Sequence, residues 1–582
     1  MPTVSAHVAL TLAQHIDHVF GVMGNGNAYF LDALESHTDA VFTAVRHEQG
    51  AVVAADAHFR ASGRIAAATS TYGAGFTNTI TALAEAVQAH VPLVLVVGDE
   101  PTSGPRPWDV DQIALASAVG ARTYTTGRAD AAATTVIAIE HALTYRVPVV
   151  LAIPYDVAAL EAGPVPEAPS PRIPASVAPR GEFAEGMIDE IADALRSARR
   201  PFLLAGRGAW LAGASDALGA LADATGALTA STALGRGVFP DERYDLGVTG
   251  GFGADGAMAL VREADVAVVF GASLNQFTMR FGELFAPGTR VFQVDVAPAA
   301  THAHVGGFVR ADARVAAEAM VQRLQVSHQR RPAERLAREN APAADESAEN
   351  VGAKRTSPRE AHTPTWRESV DVTAARAYAH GSPLAADGRL DPRSAARRIA
   401  ELLPEERIVV SDGGHFIGWA NMYWPVAAPD RMMMVGTAFQ SIGQGWPSVV
   451  GATRARPEAT VILTSGDGGG LMAIADLESA VRAAAGRGMA VIWNDAAYGA
   501  EVNLYGLKGL AEGPMRIPEV DFAAFGAAVG AEGVVVRTLD DLDRLRTWTA
   551  EDPAKRRFLV LDLRISGDVI APYQQEIIRV NS

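Results

Sequence analysis

The chain has 582 residues, of which 49% are hydrophobic and 20% are charged. That composition allows several hydrophobic cores, and three or four domains at about 150 residues each. Its 50 Lys and Arg residues against 66 Asp and Glu residues give a net charge of −16, which argues against a general nucleic-acid or anionic-membrane binder. Because cysteine is absent, disulfides, thiolate metal sites and cysteine nucleophiles are excluded.

The amino terminus and the apolar runs predict no membrane attachment. The first residues, MPTVSAHVALTLAQHIDHVF, have His and Asp among their apolar residues and no basic leader, so we expect no signal peptide. The sequence has no uninterrupted apolar stretch of about 18 residues, the length a membrane span needs. We therefore expect a soluble cytoplasmic protein with neither nucleic acid nor membrane as a partner.

Short apolar runs that alternate with alanine-rich amphipathic segments predict the fold. Several of these runs begin after Pro or Arg and stop at Gly, Asp or Asn, as buried parallel strands between helical crossovers do. The chain is therefore expected to be an α/β protein with doubly wound parallel sheets. The runs, in chain order, are Val91–Val97, Val147–Ile153, Pro201–Ala205, Val266–Phe270, Arg407–Val410, Thr460–Thr464, Met489–Trp493 and Phe558–Leu563.

Two breaks in composition divide the chain. Residues 155–182 form a proline-rich connector, and residues 326–385 are polar and charged with almost no apolar periodicity. A stretch as long as the second break is typical of a flexible interdomain linker. We therefore predict three domains of similar size, near residues 1–165, 183–325 and 386–575. The first and third could be distant copies of one fold.

Two acidic residues follow neighbouring apolar runs in the third domain. The segment LTSGDGGGLMAIADLESAVRAAAGRGMAVIWNDAAYGAE has Asp467 after the first run and Asp495 after the second. The pattern predicts a strand over Thr460–Thr464, a glycine loop over Ser465–Gly470 and a helix over Leu471–Ala485. Ligands of parallel sheets bind beyond the carboxyl ends of the strands. Glycines next to the free N–H groups of a helix start let a phosphate approach closely.

The two aspartates are predicted to hold a divalent cation. A carboxylate beside a phosphate would repel it unless a cation lay between them, and Mg²⁺ takes oxygen ligands from protein and phosphate together. If the two strands pair at about 4.8 Å, Asp467 and Asp495 reach the same ion, and the main-chain carbonyl of Ala497 supplies a third oxygen. Each half alone is equally well explained as a structural turn. Both halves, 28 residues apart (495 − 467), favour the metal site.

The segment resembles the thiamine-diphosphate motif of the superfamily of acetolactate synthases, 2-oxo-acid decarboxylases and 2-hydroxyacyl-CoA lyases. That motif runs from Gly-Asp-Gly to an Asn-Asn pair a little under thirty residues on. Asp467 matches the family's metal-ligating Asp, and Asp495 stands where the second Asn is more usual. Since Asp is a competent oxygen ligand, the resemblance implies Mg²⁺ on Asp467, Asp495 and the Ala497 carbonyl. The cofactor-binding residues that it implies around them are Gly466, Gly468, Gly469 and Tyr498.

A second motif lies in the first domain. AVRHEQGAVVAADAHFRASGR (Ala44–Arg64) predicts a strand that ends near Val45 and a helix that begins near Glu48. A Glu at a helix start is also what simple capping favours. The motif resembles the family's first-domain signature, which makes Glu48 the cofactor-activating glutamate. The resemblance implies that its carboxylic acid bonds the aminopyrimidine ring of the cofactor and promotes general acid–base catalysis through that ring.

The resemblance also implies roles for the domains and an oligomer. Residues 1–165 become a pyrimidine-binding domain, 183–325 a central domain and 386–575 a diphosphate-binding domain. In this family the pyrimidine binds one subunit and the diphosphate binds its neighbour. A homodimer or homotetramer with active sites at the subunit interface is therefore implied.

Further matches supply other site candidates. Asn25 sits where pyruvate-type decarboxylases carry an Asp, and Gln112 falls near a substrate-side glutamine of the synthases. Ile442 takes the place of the bulky residue that bends the cofactor. A lone His among glycines, such as His415, is often only a polar loop residue. The remaining cofactor-binding candidates from these matches are Gly73, His415, Phe416 and Gln440.

The middle domain resembles the family's central domain, where synthases bind FAD and acyl-CoA enzymes bind a nucleotide. It has no complete FAD or GxGxxG fingerprint. We therefore expect a structural domain without a cofactor, with FAD or ADP as the alternative.

Three functions stay open. The first is an acetolactate-synthase-like enzyme that decarboxylates a 2-oxo acid and ligates the product to an acceptor. The second is a 2-hydroxyacyl-CoA lyase, for which Glu501, a match to the catalytic Glu of the decarboxylases, would move the proton. The segment Gly271–Gly282 faintly resembles the nucleotide-binding segment of the lyases. The third is a catalytically silent cofactor-binding subunit, against which the retention of Glu48, Asp467 and Asp495 speaks.

Overall fold

The computed structural model describes residues 1–325, 365–428 and 430–581. In these residues 18 strands form three six-stranded sheets, and the strands within each sheet pair in parallel. Helices connect most of the successive strands. The predicted α/β class with three doubly wound parallel-sheet domains is therefore confirmed.

The first sheet is built from the amino-terminal residues. Its strands are β1 His18–Gly21, β2 Val41–Ala44, β3 Ala66–Ser70, β4 Leu93–Asp99, β5 Arg122–Thr125 and β6 Pro148–Pro154. The helices around it are α1 Val4–Leu12, α2 Ala28–His37, α3 Glu48–Ser62, α4 Ala74–Thr77, α5 Ile80–Gln88, α6 Gln112–Ala118 and α7 Ala131–Tyr145. Every residue of β3, β4 and β6 is buried, which explains why these strands read as continuous apolar runs.

The central sheet follows the proline-rich connector. Its strands are β7 Pro201–Ala205, β8 Leu228–Ser231, β9 Asp245–Val248, β10 Val266–Phe270, β11 Arg290–Asp295 and β12 Val305–Arg310. The helices are α8 Glu182–Ser197, α9 Arg207–Leu211, α10 Ser215–Thr225, α11 Asp255–Glu263, α12 over residues 313–325 and α13 Val372–Ala375.

The third sheet is built from the carboxyl-terminal residues. Its strands are β13 Arg407–Ser411, β14 Met432–Met434, β15 Thr460–Gly466, β16 Gly488–Asn494, β17 Glu532–Val536 and β18 Leu559–Arg564. The helices are α14 Pro392–Ala400, α15 Ile417–Tyr423, α16 Gly445–Ala455, α17 Asp467–Met472, α18 Leu477–Ala484, α19 Gly499–Glu501, α20 Phe522–Ala528, α21 Asp543–Ala550 and α22 Pro572–Asn581. None of the helices in the described residues has the length and apolar character that a membrane crossing requires.

The first and third sheets share one strand order, and the central sheet has another. The first reads β2-β1-β3-β4-β6-β5 and the third reads β14-β13-β15-β16-β18-β17, so both follow the pattern 2-1-3-4-6-5. The central sheet reads β12-β11-β10-β7-β8-β9, the 3-2-1-4-5-6 order of a dinucleotide-type fold seen from the other side. The shared order supports the prediction that the first and third domains are copies of one fold.

The chain divides into two compact units. One combines Met1–Ala175 with Ala379–Ser582 and holds the first and third sheets, and the other is Ser176–Tyr378. In the first unit α3 packs along α16. The approach is so close that a Cβ at Gly451 would collide with the main-chain oxygen of Ala54.

Part of the predicted linker over residues 326–385 packs against the central sheet. Trp366 and Val372 join the hydrophobic core of that unit, and the Arg367 guanidinium lies 4.3 Å over the Tyr244 ring. Residues 326–364 of the predicted linker lie outside the described residues. The domain boundaries drawn from the sequence stay a prediction.

Candidate active site

The candidate residues of the first sheet follow the carboxyl ends of four strands. Asn25 comes after β1, Glu48 after β2, Gly73 after β3 and Gln112 after β4. These strands are neighbours in the order β2-β1-β3-β4. All four residues therefore lie along one edge of the sheet, where ligands of parallel sheets bind.

The third sheet repeats the arrangement with different residues. His415 comes after β13, Ile442 after β14, Asp467 directly after β15 and Asp495 after β16. The strands are neighbours in the order β14-β13-β15-β16. The strand order reverses between β13 and β15, the position at which doubly wound sheets bind ligands.

Asp467 begins a helix, which differs from the predicted glycine loop over Ser465–Gly470. Strand β15 runs to Gly466 and α17 starts at Asp467. The predicted helix over Leu471–Ala485 is divided, because α17 ends at Met472 and α18 begins at Leu477. The helix dipole favours an acidic side chain such as Asp467 in the first helical turn. This stabilisation helps α17 to begin in a glycine-rich segment that predicts a loop.

The glycines of α17 are needed for close packing around Asp467. A Cβ at Gly468 would lie 2.6 Å from Tyr498 Cε1, and a Cβ at Gly469 would lie 2.7 Å from Asp412 Oδ2. Real Cβ atoms do not tolerate such distances, since protein interiors are already close-packed. The Gly-Asp-Gly pattern therefore brings the loop that carries Tyr498 directly against α17.

The Asp467 carboxylate is buried and only partly satisfied. Its Oδ1 accepts a hydrogen bond of 2.9 Å from the Gly468 N–H. Its Oδ2 is buried and has no hydrogen-bond partner among the described residues. Burial, and next to it the charge of Asp495, raises the pKa of Asp467 to about 7.

Asp495 is the second acid of this pair, and its side chain is half-buried. Burial raises its pKa to about 6, while the Ala497 N–H and the charges of Arg389 and Arg516 act in the opposite direction. A Cβ at Gly499 would lie 2.7 Å from Asp495 Oδ2, so the chain leaves room for the carboxylate on that side.

The main-chain carbonyl of Ala497 points away from the neighbouring segment around Arg516. Ala497 is bridged to Arg516 in an antiparallel sense. The hydrogen bonds of that bridge run from the Ile517 N–H to the Ala496 oxygen, 2.9 Å, and from the Tyr498 N–H to the Met515 oxygen, 2.8 Å. Since a residue in such a pair turns its own N–H and C=O away from the partner segment, the Ala497 carbonyl points to the opposite side.

This donor set fits a divalent cation. The charge of Asp495 raises the cost of ionising the buried Asp467, and one oxygen of Asp467 has no partner among the described residues. A cation between the two carboxylates would offset both costs. Oxygen ligands are what Mg²⁺ prefers. No group of three or more His, Cys, Asp and Glu side chains suited to a metal ion occurs in the described residues. A third protein ligand would therefore be an oxygen of another kind, for which the Ala497 carbonyl is the predicted candidate.

Asp412 was missed by the sequence reasoning and organises the same edge. Its buried carboxylate accepts hydrogen bonds from the N–H groups of Gly413, Gly443 and Gln444 and from the Ser465 hydroxyl, at 2.8 to 3.3 Å. Burial raises its pKa, and these donors act against that rise. An acid directly after β13 in the motif Ser-Asp-Gly-Gly was the available signal.

The segment after β14 carries Gln440 and Ile442. Gln440 has a left-handed φ of 59°, and Ile442 Cγ2 is close enough that a Cβ at Gly413 would lie 3.1 Å from it. The Phe439 N–H donates 2.7 Å to Glu85 Oε2 of the first sheet's α5. A buried glutamate thus fixes this segment from the other sheet of the unit.

His415 and Phe416 lie on the buried side of the same edge. A Cβ at Gly466 would lie 2.8 Å from Phe416 Cδ1, so Phe416 packs against the end of β15. His415 is 6% exposed, and burial lowers its pKa to about 4. The ring is therefore neutral near pH 7.

Glu48 is the first residue of α3 and is half-buried. Its Oε2 accepts a 2.9 Å hydrogen bond from Asn78 Nδ2, and a Cβ at Gly75 would lie 3.2 Å from its Oε1. Asn78 was not among the sequence candidates, since it lies 30 residues along the chain. These described partners of Glu48 belong to the first sheet.

The Gln112 side chain hydrogen-bonds both the segment after β3 and the end of β4. Its Oε1 accepts from the Gly73 N–H at 2.8 Å, and its Nε2 donates to the Gly98 oxygen and to Asp99 Oδ1 at 3.0 and 3.1 Å. Gly73 itself has a φ of 60°. Both ends of the amide are therefore engaged with the chain, and the observed role of Gln112 is to hold Gly73 in place.

Asn25 is exposed and is held by an aromatic residue. Its Nδ2 donates 2.9 Å to the Tyr72 hydroxyl. The Arg106 guanidinium lies 4.1 Å from the Tyr72 ring centroid and 4.7 Å from the Tyr155 centroid. Arg106 also forms a two-point ion pair with Asp109, so its charge is already balanced.

Glu501 ends α19 and is exposed. Burial, and next to it the charge of Glu501, raises the pKa of Tyr573 on α22. The structure thus places Glu501 near the carboxyl-terminal helix. Directly after it, Val502–Gly506 forms a π-helical turn, a feature often found at functional sites.

In the central domain, the loops after β7 and β10 lie in close contact. The Gly208 N–H donates 2.8 Å to the Gly271 oxygen across the point where the strand order reverses between β7 and β10. A Cβ at Gly206 would lie 2.5 Å from the Ala272 Cβ. The expectation of a central domain without FAD or ADP stays a prediction.

Family models match most of the described fold. The models are Thiamine pyrophosphate enzyme, N-terminal TPP binding domain, over residues 2–115, the central domain over residues 188–323, and the C-terminal TPP binding domain over residues 412–562. Together they cover more than half of the chain. The chain therefore belongs to the thiamine pyrophosphate enzymes, which confirms the family resemblance.

Curated relatives fall into two named activities. An acetolactate synthase large subunit of Parasynechococcus marenigrum is 27% identical over 491 residues, 82% of this chain and 74% of the relative. A sulfoacetaldehyde acetyltransferase of Rhodobacter capsulatus is 28% identical over 592 residues, 99% and 96% respectively. The acetolactate synthase isozyme 3 large subunit of Escherichia coli is 24% identical over 579 residues, 95% and 93%. At these identities the relatives support the assignment of the chain as an enzyme of this family. They do not specify which reaction it catalyses.

Proposed function

We propose that the chain is a thiamine-diphosphate- and Mg²⁺-dependent enzyme that makes or breaks a carbon–carbon bond next to a carbonyl group. The reaction that we favour is acetolactate-synthase-like: a 2-oxo acid loses CO₂ and the remaining fragment is ligated to an acceptor carbonyl. The matches to both TPP-binding domain models and the relatives named acetolactate synthase support this reaction class.

One observation carries the proposal. Asp467 and Asp495 lie at the carboxyl ends of the paired strands β15 and β16, and the charge of Asp495 acts on Asp467 directly. Asp467 Oδ2 is buried without a partner among the described residues. A divalent cation that carries a diphosphate would satisfy that oxygen and offset the repulsion of the pair.

Each group in the site has a stated task. Asp467, Asp495 and the Ala497 carbonyl would hold Mg²⁺, and Ile442 would support the cofactor. Glu48, held by its hydrogen bond from Asn78, would bond the aminopyrimidine and act there as the general acid–base group. When bound, thiamine diphosphate supplies the electron sink that lets the bond beside the carbonyl break.

The proposal includes a homodimer or homotetramer that acts on a small molecule. The described partners of Glu48 lie in the first sheet, and those of Asp467 lie in the third. A second copy is proposed to bring the two half-sites together, as the family resemblance implies. Neither a nucleic acid nor a membrane is proposed as a partner, in keeping with the net charge of −16, and we place the protein in the cytoplasm.

A second candidate is acetyl transfer from sulfoacetaldehyde, in which the carbon–sulfur bond breaks with release of sulfite and the acetyl group passes to an acceptor such as inorganic phosphate. The relative named for this activity from Rhodobacter capsulatus is 28% identical and matches 99% of this chain. The acetolactate synthases of Parasynechococcus marenigrum and Escherichia coli match 82% and 95% of it. Both reactions use a carbonyl substrate with an anionic group, so the same cofactor site serves either one.

A substrate panel tests the proposal. Pyruvate, longer 2-oxo acids, sulfoacetaldehyde and 2-hydroxyacyl-CoA thioesters are each supplied with thiamine diphosphate, Mg²⁺ and inorganic phosphate as an acetyl acceptor. The assays measure CO₂, sulfite, aldehyde, ligated and acetyl products. We expect CO₂ and a ligated product from a 2-oxo acid. Turnover of sulfoacetaldehyde alone would identify the protein as an acetyltransferase. Turnover of a 2-hydroxyacyl-CoA thioester alone would identify it as a lyase. Cofactor binding without turnover of any substrate identifies a catalytically silent subunit.

A further inference from the structure

Asp476, the residue before α18, bonds the segment that leads into α3. It is 2% exposed and is the N-cap residue of α18, a place where Asp usually accepts from N–H groups of its own helix. No such bond to its side chain occurs among the described residues of α18. Its Oδ1 instead accepts 2.7 Å from the Arg46 N–H and 2.8 Å from the Ser479 hydroxyl. A capping residue beside the third sheet thus holds a segment of the first.

The other oxygen of the Asp476 carboxylate lies against the first turn of α3. A Cβ at Gly50 would collide with Asp476 Oδ2 and would lie 3.0 Å from its Cγ. Only a residue without a side chain lets the carboxylate come so close, which explains the Gly in the motif His-Glu-Gln-Gly. The free N–H groups and the dipole of a helix start attract a carboxylate. One buried side chain therefore holds the backbone on both sides of Glu48, at residue 46 and at residue 50.

Contacts on the outer side of α18 support the same segment. Arg46 pairs with Glu478 at 2.8 Å, and Arg482 Nη2 donates 2.7 Å to the Ala44 oxygen. The Arg46, Glu478 and Arg482 side chains are 34 to 47% exposed, and exposed pairs of this kind contribute little. The buried Asp476 is therefore the contact on which the place of this segment depends most.

The Glu48 side chain is held separately from its backbone. Asn78 donates to Glu48 Oε2 from the first sheet, whereas Asp476 reaches the backbone at residues 46 and 50. Asn78 thus orients the carboxylate, and Asp476 fixes the helix start that carries it. A catalytic group displaced by about 1 Å can lose about 100-fold in rate, so the position of this helix start matters for catalysis.

We propose that Asp476 is a positioning residue for Glu48: it fixes the start of α3 so that the Glu48 carboxylate meets the aminopyrimidine of the cofactor. This inference rests on the proposed function. Asp476 acts through α3, because its described contacts lie with α3, α18 and the segment before Glu48. Its effect should therefore fall on activation of the cofactor. Binding of the diphosphate, the task of the half-site around Asp467, should change little.

Three measurements separate these effects. Amide hydrogen exchange, followed by mass spectrometry, reports the order of residues 44–52 in the protein without cofactor. Quenching of tryptophan fluorescence gives the dissociation constant for thiamine diphosphate with Mg²⁺. Exchange of the thiazolium C2 proton of the bound cofactor for deuterium, followed by proton NMR after an acid quench, reports cofactor activation in the absence of any substrate.

Asp476→Ala is expected to speed amide exchange in residues 44–52, because the buried hold on this segment is lost. It should slow C2-proton exchange about 10- to 100-fold, the effect of a misplaced catalytic group. The dissociation constant for thiamine diphosphate should stay within about fivefold of the wild type, less than a tenfold change in affinity. Asp476→Asn keeps an acceptor for the Arg46 N–H and should recover most of the C2-exchange rate.

Gly50→Ala tests the same contact from the other side, also if Asp476→Ala does not fold. The new Cβ pushes the Asp476 carboxylate away from α3, while Ala is itself a good helix former. We expect slower C2-proton exchange in this variant as well. The two changes combined should slow it no more than either alone, since both break one contact. Wild-type exchange in Gly50→Ala would overturn the proposal.

Asp391→Ala is the matched control. Asp391 is 1% exposed, is the N-cap residue of α14 and accepts 2.9 Å from the Arg393 N–H. Its loss should lower the thermal unfolding midpoint, as the loss of Asp476 does, with C2-proton exchange at the wild-type rate. Equally slow exchange in both variants would overturn the proposal, because destabilisation alone would then explain it.

The outcomes distinguish this inference from the proposed function. A wild type that binds no thiamine diphosphate, or does not accelerate its C2-proton exchange, overturns the proposed function itself. An accelerating wild type, with Asp476→Ala at the same rate, overturns the role of Asp476 and leaves the proposed function intact. In a Glu48→Gln background, Asp476→Ala should cause no further slowing. Additional slowing there would also overturn the proposal, because Asp476 would then act by a route other than Glu48.

Discussion

Asp495 is the residue at which this chain departs from the family motif. It brings a second negative charge to a place where the resemblance leads us to expect an Asn, and burial together with that charge raises the pKa of Asp467. Arg389 and Arg516 act against the rise in the pKa of Asp495 itself. A carboxylate must be deprotonated to bind a metal. The proposed site should therefore lose Mg²⁺ as the pH falls and Asp467 and Asp495 take up protons.

Asp495→Asn is predicted to move the pH dependence of metal binding. In the wild type, Mg²⁺ affinity should fall as pH drops below about 7, where Asp467 takes up a proton. The Asn keeps an oxygen ligand and removes the neighbouring charge, so the fall should begin at a lower pH. Mg²⁺ titrations in the presence of thiamine diphosphate between roughly pH 5.5 and 8 measure this. Asp39→Asn, an exposed residue, is the matched control; an unshifted profile in Asp495→Asn contradicts the coupling.

Glu501→Ala is predicted to impair proton transfer. Its carboxylate is exposed beside the carboxyl-terminal helix, where it can exchange protons with solvent. Loss of a general acid–base group lowers kcat by about 10²- to 10⁴-fold, while KM should change little. Steady-state kinetics with the substrate that the panel identifies measure both, against the exposed control Glu401→Ala. An unchanged kcat would make Glu501 a surface residue.

The sequence predicted the position of a site residue correctly where a short local motif contains that residue. The placement of Asp467, Asp495 and Glu48 after neighbouring strands followed from apolar runs and short motifs. Asp412, Asn78 and the partners of Asp476 could not be found that way. Their contacts join residues 30 to 430 positions apart, and nothing local in the sequence specifies such pairs.

Helix α3 links the proposed cofactor-activating glutamate to a buried ion network. Glu48 starts the helix, and three turns later Arg60 pairs with Asp56 and with Glu85 Oε1, the latter at 3.0 Å. Arg60 Nη1 also donates 2.8 Å to the Met434 oxygen at the end of β14. One buried guanidinium thus joins α3, α5 and the third sheet.

Arg60→Met is predicted to destabilise the first unit strongly. The substitution leaves Asp56 and Glu85 buried without their cation, and breaking a buried pair from one side costs about 3–5 kcal/mol. The thermal unfolding midpoint should drop by several degrees. Arg64→Ala, whose side chain is 67% exposed and pairs with Asp17, should cost less than about 1 kcal/mol. Equal midpoints for the two variants would contradict a structural role for the network.

His58, on the same helix, is predicted to make the protein acid-sensitive. Burial, and next to it the charge of His18, lowers the pKa of His58 to about 4. The unfolded chain binds this proton near pH 6.5, so stability is fully present above that pH and is lost as pH falls toward about 4, by on the order of 3 kcal/mol. Unfolding midpoints at pH 7 and pH 5 measure the loss. His58→Gln should be less pH-sensitive than the wild type, and the exposed control His37→Gln should not.

At the level of elements, the sequence predicted strands better than helix starts. Strands β7 and β10 have the predicted bounds, and β15 and β16 extend the predicted runs by one or two residues. Apolar runs locate strands because both faces of these sheets are covered. The glycine-rich start of α17 predicts a loop from local sequence alone. The glycines are required by contacts with Tyr498 and Asp412, which are distant along the chain and so are invisible to a local pattern.

At the level of the whole molecule, the proposed site needs two copies of the chain. Glu48→Gln and Asp467→Ala are each predicted to be inactive, and a mixture formed by co-expression is predicted to recover activity. A mixed dimer pairs the intact Glu48 of one chain with the intact Asp467 of the other at one of its two sites. With random pairing, about a quarter of wild-type activity should return.

The control for this experiment is a mixture of two variants of the same half-site. Asp467→Ala with Asp495→Ala should stay inactive, since neither chain offers a complete metal site. Recovery in that control, or none in the Glu48 and Asp467 mixture, contradicts an active site shared between subunits. Sedimentation of the mixture checks that dimers form.

The common strand order of the first and third sheets suggests how such a protein arose. Both sheets have their candidate residues at the same four strand ends. The proposed cofactor-activating acid follows the second strand of the first sheet, whereas the proposed metal-binding acids follow the third and fourth strands of the other sheet. Each sheet therefore carries the part of the proposed site that the other does not. If the two domains arose by duplication of one gene, neither the first nor the third domain alone would carry a complete proposed site.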